Sequence, residues 1–394
     1  MKPKVKTSLS IILYILIATI SFLLWHDDSS TNLMLKKQPK PTNDFWLQND
    51  DILLFLEAVT QFNNHDLYLK PEVKRRELVQ ETLRSVVERL DPYAAYMTAN
   101  EFSQWKKSQG DQYAGIGMEI LKNSLGQVIC LPYPDSPAAK AGIQTGDKLI
   151  SIDGESVHGR SILALSAIAG NQGESVRLSI MGDTKEQKHI TVKRSRIAFN
   201  SVSISRIANI DVIKISAFTS DTKAKLRDAL TNFSELKPLV IDLRNNAGGN
   251  LFAAIDSTML FLANQEKIVS IKSRQDINNY ESKSVRINSS SPLFLWQNTG
   301  TASAAEVFIA ALTNNQRATS IGTNSFGKGT RQEIFELSDG SALVITTGFL
   351  QTPNGLHFDG IGLRPDYAID SDNPKTADYM AKVKELLHEV NVGF

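Results

Sequence analysis

The feature that most constrains the fold is a short apolar run that ends in a pair of glycines. Residues 239–243 read Leu-Val-Ile-Asp-Leu, which is typical of a strand covered on both faces. Asn246-Ala-Gly-Gly249 follows, and then a helical pattern at residues 251–262. A buried strand that turns through glycines into a helix predicts an α/β fold for this part of the chain.

Ser303 lies among small residues in the segment Gly300-Thr-Ala-Ser-Ala-Ala-Glu306. Small neighbours let a substrate backbone approach closely and leave the serine oxygen accessible. Residues 304–316 are mostly good helix formers with one apolar side, so the sequence places Ser303 at a helix N-terminus. The free N–H groups and the helix dipole at such a position favour an oxyanion.

Lys328 lies between Gly327 and Gly329, directly after Phe326. Loss of water in such surroundings disfavours the charged ammonium, so we expect a lowered pKa for Lys328. A neutral lysine can take the proton of a serine hydroxyl, which is a poor nucleophile without a base. A helix, a short strand at residues 318–323 and a glycine turn can bring Lys328 back to Ser303.

Each of these two residues also has a simpler explanation. Small residues around a serine more often indicate a helix N-cap and tight packing. The residues from Gly322 to Lys328 nearly form a phosphate-binding loop, but that motif requires Ser or Thr at the next position, where Gly329 stands. The histidines, including His357, are scattered without metal-ligand spacing, which argues against a Ser-His triad and against a metal site.

The serine segment and Ser325-Phe-Gly-Lys-Gly-Thr330 together resemble the active-site signature of the C-terminal processing peptidases, also called tail-specific proteases. The resemblance extends from about residue 51 to about residue 367. It implies that Ser303 is the nucleophile, Lys328 the base and Gln332 the third catalytic residue. On an extended strand Gln332 would point to the same side as Lys328. No metal or cofactor is implied.

The glycine pair after the apolar run is also similar to a family motif. Residues 242–249 match Asp-Leu-Arg-x-Asn-Pro-Gly-Gly, with Ala247 in place of the proline. In the family a glycine N–H here and the N–H after the serine form the oxyanion hole. This implies Gly248 and Ala304 as donors, with Gly249 as the alternative. Asp242 and Arg244 are expected to be structural rather than catalytic, because charges at a strand end usually pair with each other or with a neighbour.

Residues 111–196 carry a pattern of strands and glycine turns around one short helix. Ala114-Gly-Ile-Gly117, a later Ser136-Pro-Ala138 segment and Gly146-Asp147 resemble a PDZ domain of the bacterial protease type. The glycine loop would bind a C-terminal carboxylate, and the peptide would add as a strand to the sheet edge. The predicted peptide-binding residues are Gly115, Ile116, Gly117, Met118 and Leu165. Core packing is the alternative for Ile116, Met118 and Leu165.

The whole chain of 394 residues is predicted to be an α/β (α+β) multidomain protein. Helical spacing of apolar residues and the phrase Leu90-Asp-Pro-Tyr93, similar to a family motif, predict a helical segment before the PDZ domain. The predicted parts are an anchor or signal at 1–26, a linker at 27–48, a helical segment at 49–110, an inserted PDZ domain at 111–196, a protease core at 197–370 and a C-terminal helix at 371–394.

The N-terminus predicts export. Lys2, Lys4 and Lys6 precede an apolar run at residues 9–25, which is near the short limit for spanning a bilayer. The lysines place the N-terminus in the cytoplasm. The run ends without an Ala-x-Ala cleavage pattern, so an uncleaved anchor is favoured over a signal peptide. We therefore expect an inner-membrane anchor in a bacterial cell envelope, with the catalytic part on the periplasmic or extracytoplasmic side.

Composition excludes some other classes of protein. The formal net charge is +1, with 43 basic and 42 acidic residues mixed along the chain, so nothing indicates a nucleic-acid surface. Cys130 is the single cysteine, which excludes an internal disulfide and a multi-thiolate metal site. Its apolar strand, residues 127–131, predicts a buried thiol.

These observations predict an exported, membrane-tethered serine endopeptidase. It would bind the C-terminal tails of envelope proteins through the PDZ domain and cleave them through an acyl-enzyme. Its partners would be proteins or peptides with accessible C-termini, and the sequence leaves a homo-oligomer or an adaptor protein open. The alternative is a non-catalytic, membrane-tethered PDZ scaffold. Loss of the serine, lysine or glutamine would mark such a scaffold, but all three are present.

Overall fold

The computed structural model of the chain describes most residues from 49 onward. The described ranges are 35–37, 49–65, 75–108, 114–123, 125–133, 135–158, 168, 170–182, 186–196, 200–231, 233, 237–283, 291–371 and 374–392. The predicted anchor at 1–26 lies outside them. Within these ranges no helix is both long enough and apolar enough to cross a bilayer.

The elements are numbered in chain order. The helices are α1 Asn49–His65, α2 Arg75–Leu90, α3 Ala99–Ser108, α4 Pro137–Lys140, α5 Thr222–Leu230, α6 Leu251–Thr258, α7 Ala304–Asn314 and α8 Thr376–Val392. The strands are β1 Leu35–Lys37, β2 Ala95–Met97, β3 Ala114–Gly115, β4 Met118–Lys122, β5 Val128–Pro132, β6 Lys148–Ile152, β7 Glu155–Ser156, β8 Ser175–Met181, β9 Gln187–Lys193, β10 Ser195–Arg196, β11 Val202–Ile207, β12 Ile210–Ile215, β13 Leu239–Asp242, β14 Lys267–Lys272, β15 Ile277–Glu281, β16 Leu293–Gln297, β17 Thr319–Gly322, β18 Thr330–Glu336, β19 Ala342–Gln351 and β20 Tyr367–Ala368.

The largest core surrounds a mostly parallel sheet in the order β11-β12-β13-β16-β17-β20. Within this sheet the strands β12, β13, β16, β17 and β20 run parallel to one another, and β11 is antiparallel to β12. All four residues of β13 and all five of β16 are buried, as their apolar sequences predict for strands covered on both faces. The sheet therefore needs a layer of helices on each side.

Helices supply both layers. Apolar residues of α5, α6 and α7 pack with the strands in one core cluster, in which Phe308 contacts Phe218 and Phe261. On the opposite face, α8 places Tyr379 and Val383 against Trp296. The observed arrangement is a helix–sheet–helix sandwich. The predicted α/β class is confirmed.

A second sheet in the order β1-β18-β19-β14-β15, with β2 paired to β19, joins the N-terminal helices to the core. Asp91, which follows α2, accepts hydrogen bonds from the backbone N–H of Thr346 (3.0 Å) and from its hydroxyl (3.2 Å). Trp105 and Phe102 of α3 are buried beside β2 and β19. The Leu-Asp-Pro-Tyr phrase therefore has a structural function, because it attaches the helices to this sheet.

The predicted PDZ module, residues 111–196, contains an antiparallel sheet in the order β4-β5-β6-β8-β9. Its core includes Cys130, which is fully buried as predicted. The short strands β3 and β10 pair with each other, so the two ends of the module lie together. The short helix that the sequence predicts in this module covers residues 161–169, of which only residue 168 lies inside the described ranges.

Two predicted elements differ from the structure. Helix α6 ends at Thr258 rather than at residue 262, because the hydroxyls of Ser257 and Thr258 bond to carbonyls four residues earlier and the chain then turns. The sequence also predicts strands and a turn in the segments Leu343–Thr347 and Phe349–Gly355, whereas the structure has one long strand, β19, that continues through Gly348. A side chain at Gly348 would approach Ile271 to 2.7 Å, so glycine here permits contact with β14.

The aromatic cluster of the main core gives a prediction about stability. Phe308→Ala removes a fully buried ring that contacts two others, so the free energy of unfolding should fall by about 3–5 kcal/mol. Chemical denaturation measures this change. The control is Phe349→Ala, whose side chain is 43 % exposed and should change stability by about 1 kcal/mol or less. Equal losses in the two variants would contradict this description of the core.

Candidate active site

Three neighbouring parallel strands end at one edge of the main sheet. Each is followed by a segment that is predicted from the sequence to carry a catalytic or oxyanion-binding group. After β13 come Gly248 and Gly249, after β16 comes Ser303, and after β17 comes Lys328. Because parallel strands end at the same edge, residues separated by 80 positions meet there. Ligand sites of open α/β sheets lie outside these carboxyl ends.

Ser303 is the N-cap of α7 and has a backbone conformation that is rare for a residue with a side chain, with φ 55° and ψ −118°. Gly248 lies directly beside it, since a Cβ added to that glycine would be 2.8 Å from Ser303 Cβ and 3.0 Å from the Ala304 nitrogen. Glycine is thus required at position 248, because a side chain there would collide with Ser303. Such conformations persist where the surrounding structure holds them, often at functional sites.

The residue that holds the site together is Glu306, in the first turn of α7. Its carboxylate accepts hydrogen bonds from the backbone N–H groups of Ser303 (2.7 Å), Gly327 (2.7 Å) and Lys328 (2.9 Å), and from the hydroxyl of Ser325 (2.5 Å). The side chain is fully buried. One carboxylate therefore holds two segments together: the turn that contains Ser303, called the serine turn below, and residues 325–329 around Lys328, called the lysine loop.

Burial raises the pKa of Glu306 to about 7, while its hydrogen bonds from Ser325, Lys328, Gly327 and Ser303 lower the pKa. Burial has the larger effect on this carboxyl group. The sequence interpretation did not select Glu306. A usable signal was present, because a single acid follows the N-cap serine by three positions, as in a capping box, and the helix then continues with apolar residues from Val307 to Leu312.

The lysine loop is also held by residues 359–363, which follow β19. Ser325 Oγ accepts a hydrogen bond from the Leu363 N–H (2.6 Å), and Asp359 accepts one from the Gly329 N–H (2.9 Å). A side chain at Gly327 would be 2.6 Å from the Gly362 nitrogen. The glycines around Lys328 therefore allow two loops to pack directly on each other.

Ser303, Lys328 and Gln332 line one cavity of about 270 Å³, together with Gly249 and Leu251. The structure thus brings the three predicted catalytic residues together. Within the described part of the chain, no hydrogen bond joins Ser303 to the Lys328 amine, and the Gln332 amide nitrogen donates to Thr330 Oγ1 (2.8 Å) instead. Catalytic hydrogen bonds are often long or absent without substrate.

The pKa of the Lys328 amine is shifted in the direction that the sequence predicts. Burial lowers its pKa from the ordinary value, and the carboxylates of Glu119, Asp359 and Glu306 act in the opposite direction. The lowering prevails because loss of water disfavours the ammonium. A lysine of this kind holds a larger fraction of neutral amine at a given pH than a lysine in water.

The predicted oxyanion donors lie beside the serine. The Ala304 N–H has no acceptor among the described residues, and the same is true of the Gly249 N–H. The Gly248 N–H donates to the Asn246 side chain (2.9 Å). In this conformation the N–H groups of Ala304 and of Gly249, the alternative that the sequence left open, thus have no acceptor among the described residues, whereas the Gly248 N–H has one.

The predicted peptide-binding residues are only partly accessible. Gly115 and Gly117 are buried, and Gly117 has φ +68°. Ile116 is fully buried in the core of the module, and Met118 is partly buried against that core. For Ile116 this matches the core packing that the sequence left as the alternative. Leu165 lies outside the described residues.

Other predicted groups have structural roles. Arg244 and Asp242 form an ion pair of 2.7 Å, as expected, and Arg244 also donates to Thr376 Oγ1 of α8 (3.2 Å). His357 stacks edge-on against Phe349, with ring centroids 4.8 Å apart. In the described ranges no group of three or more His, Cys, Asp or Glu side chains is arranged to hold a metal ion.

Comparison with known proteins agrees with the family resemblance and with the fold. The family model for peptidase family S41 matches residues 209–369, and a model for the PDZ domain matches residues 128–181. A carboxy-terminal-processing protease of Bartonella bacilliformis is 32 % identical over 311 residues, which are 76 % of this chain and 71 % of that protein. A probable CtpA-like serine protease of Staphylococcus haemolyticus is 34 % identical over 321 residues, 78 % of this chain and 63 % of that protein.

A solved structure of a C-terminal processing protease has a similar fold. The photosystem II D1 C-terminal processing protease is similar with a TM-score of 0.70 and 27 % sequence identity, over 86 % of this chain and 97 % of that one. The chain belongs to peptidase family S41 and, within it, to the C-terminal processing proteases that contain a PDZ domain. The matched region spans about two thirds of the curated relatives, 63 % in one and 71 % in another.

The position of Glu306 gives a prediction about catalysis. Glu306→Gln presents an amide NH₂ to a site built from four donors, so at least one buried donor loses its acceptor. The serine turn and lysine loop should then shift, and kcat for polypeptide cleavage should fall by roughly 10- to 100-fold. Steady-state kinetics of purified protein measures the change.

Glu266→Gln is the matched control, because the Glu266 carboxylate caps a turn away from the site and accepts from the Ala263 N–H. This variant should keep the wild-type kcat. If Glu306→Gln also keeps it, the carboxylate does not position the catalytic groups.

Proposed function

We propose that this chain is an exported serine endopeptidase that cleaves the C-terminal tails of bacterial envelope proteins. The observation that carries the proposal is the shared cavity of Ser303 and Lys328, in which a buried carboxylate ties the two backbones together. Membership of family S41 supports a hydrolytic reaction. Bacterial relatives and the lysine-flanked apolar N-terminus support export and a membrane anchor.

In the proposed reaction, Ser303 Oγ attacks the carbonyl carbon of a peptide bond while the neutral Lys328 amine takes the hydroxyl proton. The carbonyl oxygen becomes negative and is stabilised by the N–H groups of Ala304 and of Gly248 or Gly249. Lys328 then gives its proton to the departing amine, which leaves an acyl-enzyme. Water attacks the ester while the neutral Lys328 amine takes one of its protons. The ammonium returns this proton to Ser303 Oγ as the bond between the acyl carbon and Oγ breaks, which releases the new C-terminus and restores the serine and the neutral lysine.

Gln332 is proposed to orient the amine. It lies on β18 just beyond the lysine loop, and its amide nitrogen bonds to a neighbouring threonine hydroxyl of the same strand. A rotation of this side chain toward Lys328 would supply a hydrogen-bond partner to the amine once the serine proton has been taken. Its loss should slow the reaction less than loss of Ser303 or Lys328.

The PDZ module is proposed to bind the tail. Strand β4 is an edge strand of the module sheet among the described elements, and the glycine loop lies at its N-terminal end. A tail that adds beside β4 has its carboxylate near the N–H groups of that loop. Ile120 and Leu121, on the same strand, line the catalytic cavity, so the bound tail would lie close to Ser303.

The direct experiment uses an unstructured polypeptide with an apolar C-terminal tail. Ser303→Ala and Lys328→Ala should each lower kcat by more than about 10³-fold, because the nucleophile and its base act as a unit. Intact-mass spectrometry of the products shows whether new C-termini form. Lys272→Ala, at an exposed residue of β14, is the control and should cleave like wild type. Wild-type rates in both active-site variants would refute the dyad.

The pH dependence of kcat/KM tests the role of Lys328 separately. The base must be neutral, so activity should rise with pH through the pKa of Lys328 and then reach a plateau. Burial lowers this pKa, so the midpoint of the rise should lie below 10.5, the ordinary value for lysine. A rate that is constant over this range, or that falls as pH increases, would argue against Lys328 as the base.

A further inference from the structure

A cavity larger than the catalytic one lies between α2 and the PDZ module. Its volume is about 1100 Å³. One wall is formed by α2, and the other by the turn between β4 and β5, by β6 and by residues 156–158. Lys122, at the end of β4, lines both this cavity and the catalytic cavity, so the two adjoin at that residue.

The charged side chains around this cavity are mostly basic, and we call it the basic cleft. The charged or titratable groups that line it are Glu81, Arg84, Arg89, Lys122, Lys148 and His158. Arg84 is compensated, because its guanidinium lies 3.4 Å from the Glu101 carboxylate and 3.7 Å from that of Glu81. Within the described part of the chain, no hydrogen bond or ion pair engages the side chains of Arg89 and Lys148. Each wall of the cleft thus presents a cation that is available to an anionic ligand.

The other residues of the basic cleft favour a polypeptide as that ligand. Apolar side chains line the cleft beside the cations, among them Leu125, Ile150 and Met181. Its described lining contains no Phe, Tyr or Trp, whereas single-stranded nucleic acids are usually bound by stacking of their bases on aromatic rings. A peptide chain that carries carboxylates among apolar groups matches this mixture better.

The proposed path of the substrate tail leads to the basic cleft. A tail whose carboxylate lies at the glycine loop, before β4, must run antiparallel to that strand. Its last residues then lie beside the five residues of β4, from Met118 to Lys122. The preceding residues of the substrate reach residues 125–127, in the turn after β4, and this turn is part of the cleft wall.

We propose that the basic cleft binds an acidic stretch of the substrate, roughly six to ten residues before its C-terminus, as the length of β4 requires. Arg89 of α2 and Lys148 of β6 contact the carboxylates from opposite sides. The inference rests on the proposed function and names a substrate class within it, proteins with an apolar C-terminal tail that follows an acidic segment. Arg89 and Lys148 affect binding rather than the chemical step, because neither lines the catalytic cavity.

The test measures binding to the full chain with Ser303→Ala, which lacks the proposed nucleophile. Two fluorescent peptides share one apolar C-terminal tail, and the stretch before it contains Glu in one peptide and Gln in the other. Fluorescence anisotropy should show that the Glu peptide binds roughly five- to twentyfold more tightly, because several partly exposed charge pairs each contribute a small amount. The difference should shrink at high salt.

A pair of charge variants locates the binding. Arg89→Gln combined with Lys148→Gln should abolish the preference for the Glu peptide. The affinity for the Gln peptide should stay unchanged, which also shows that the variant is folded. The control is Lys188→Gln combined with Lys193→Gln, which removes two exposed charges from β9, at the opposite edge of the module sheet from β4. This control should keep the full preference.

Two results would overturn the inference. One is equal affinity for the two peptides, or a preference that survives the change of Arg89 and Lys148. The other is displacement of the Glu peptide by single-stranded DNA of the same total charge, since the cleft would then bind polyanions in general.

Cleavage by the active chain separates this inference from the proposed function. The KM of the Glu peptide should be lower than that of the Gln peptide by the factor found in the binding assay, with the same kcat. If the Glu peptide binds more tightly but neither peptide is cleaved, the cleft binds acidic chains and the proposed protease function fails. If both peptides are cleaved and bind equally well, the protease function stands and the inference about the cleft is wrong.

Discussion

The site depends on one buried carboxylate. Glu306 accepts hydrogen bonds from the serine turn and from three groups of the lysine loop. It lies in the first turn of a helix that is apolar from Val307 to Leu312. Burying a carboxyl group is unfavourable unless donors surround it, which explains why four donors converge here. The strained backbone of Ser303 and the glycines around Lys328 follow from this arrangement, because both segments must approach the same two oxygen atoms.

The sheet order makes this convergence possible. Strands β13, β16 and β17 are parallel neighbours, so the glycine pair, the serine and the lysine emerge side by side although the chain separates them widely. The helices on both faces leave the carboxyl edge open. Across that edge lies β4 of the PDZ module, with Leu121 against the core and Glu119 at the cavity. Residues of the PDZ module and of the core thus line the same cavity.

Much of the fold and the position of the site could be predicted from local pattern. The apolar run at residues 239–243, the helix after Ser303 and the glycines around Lys328 each require their conformations for short-range reasons, and the structure agrees. The predicted end of α6 at residue 262 was wrong, because the hydroxyls of Ser257 and Thr258 compete for backbone carbonyl acceptors at the end of the helix. The predicted separation of the segments Leu343–Thr347 and Phe349–Gly355 was wrong, because β14 and β18 both pair with one continuous strand, β19.

The sequence by itself determined the residue types and their spacing: a serine at a helix start, a lysine among glycines and a glutamine on the following strand. Tertiary structure alone decided what surrounds them. Glu306 becomes an anchor only because two loops fold onto it, and Glu119 becomes a neighbour of Lys328 only because the module packs against the core. The reason is that hydrogen-bond satisfaction and electrostatic effects of burial depend on groups distant in the chain, which no local pattern specifies.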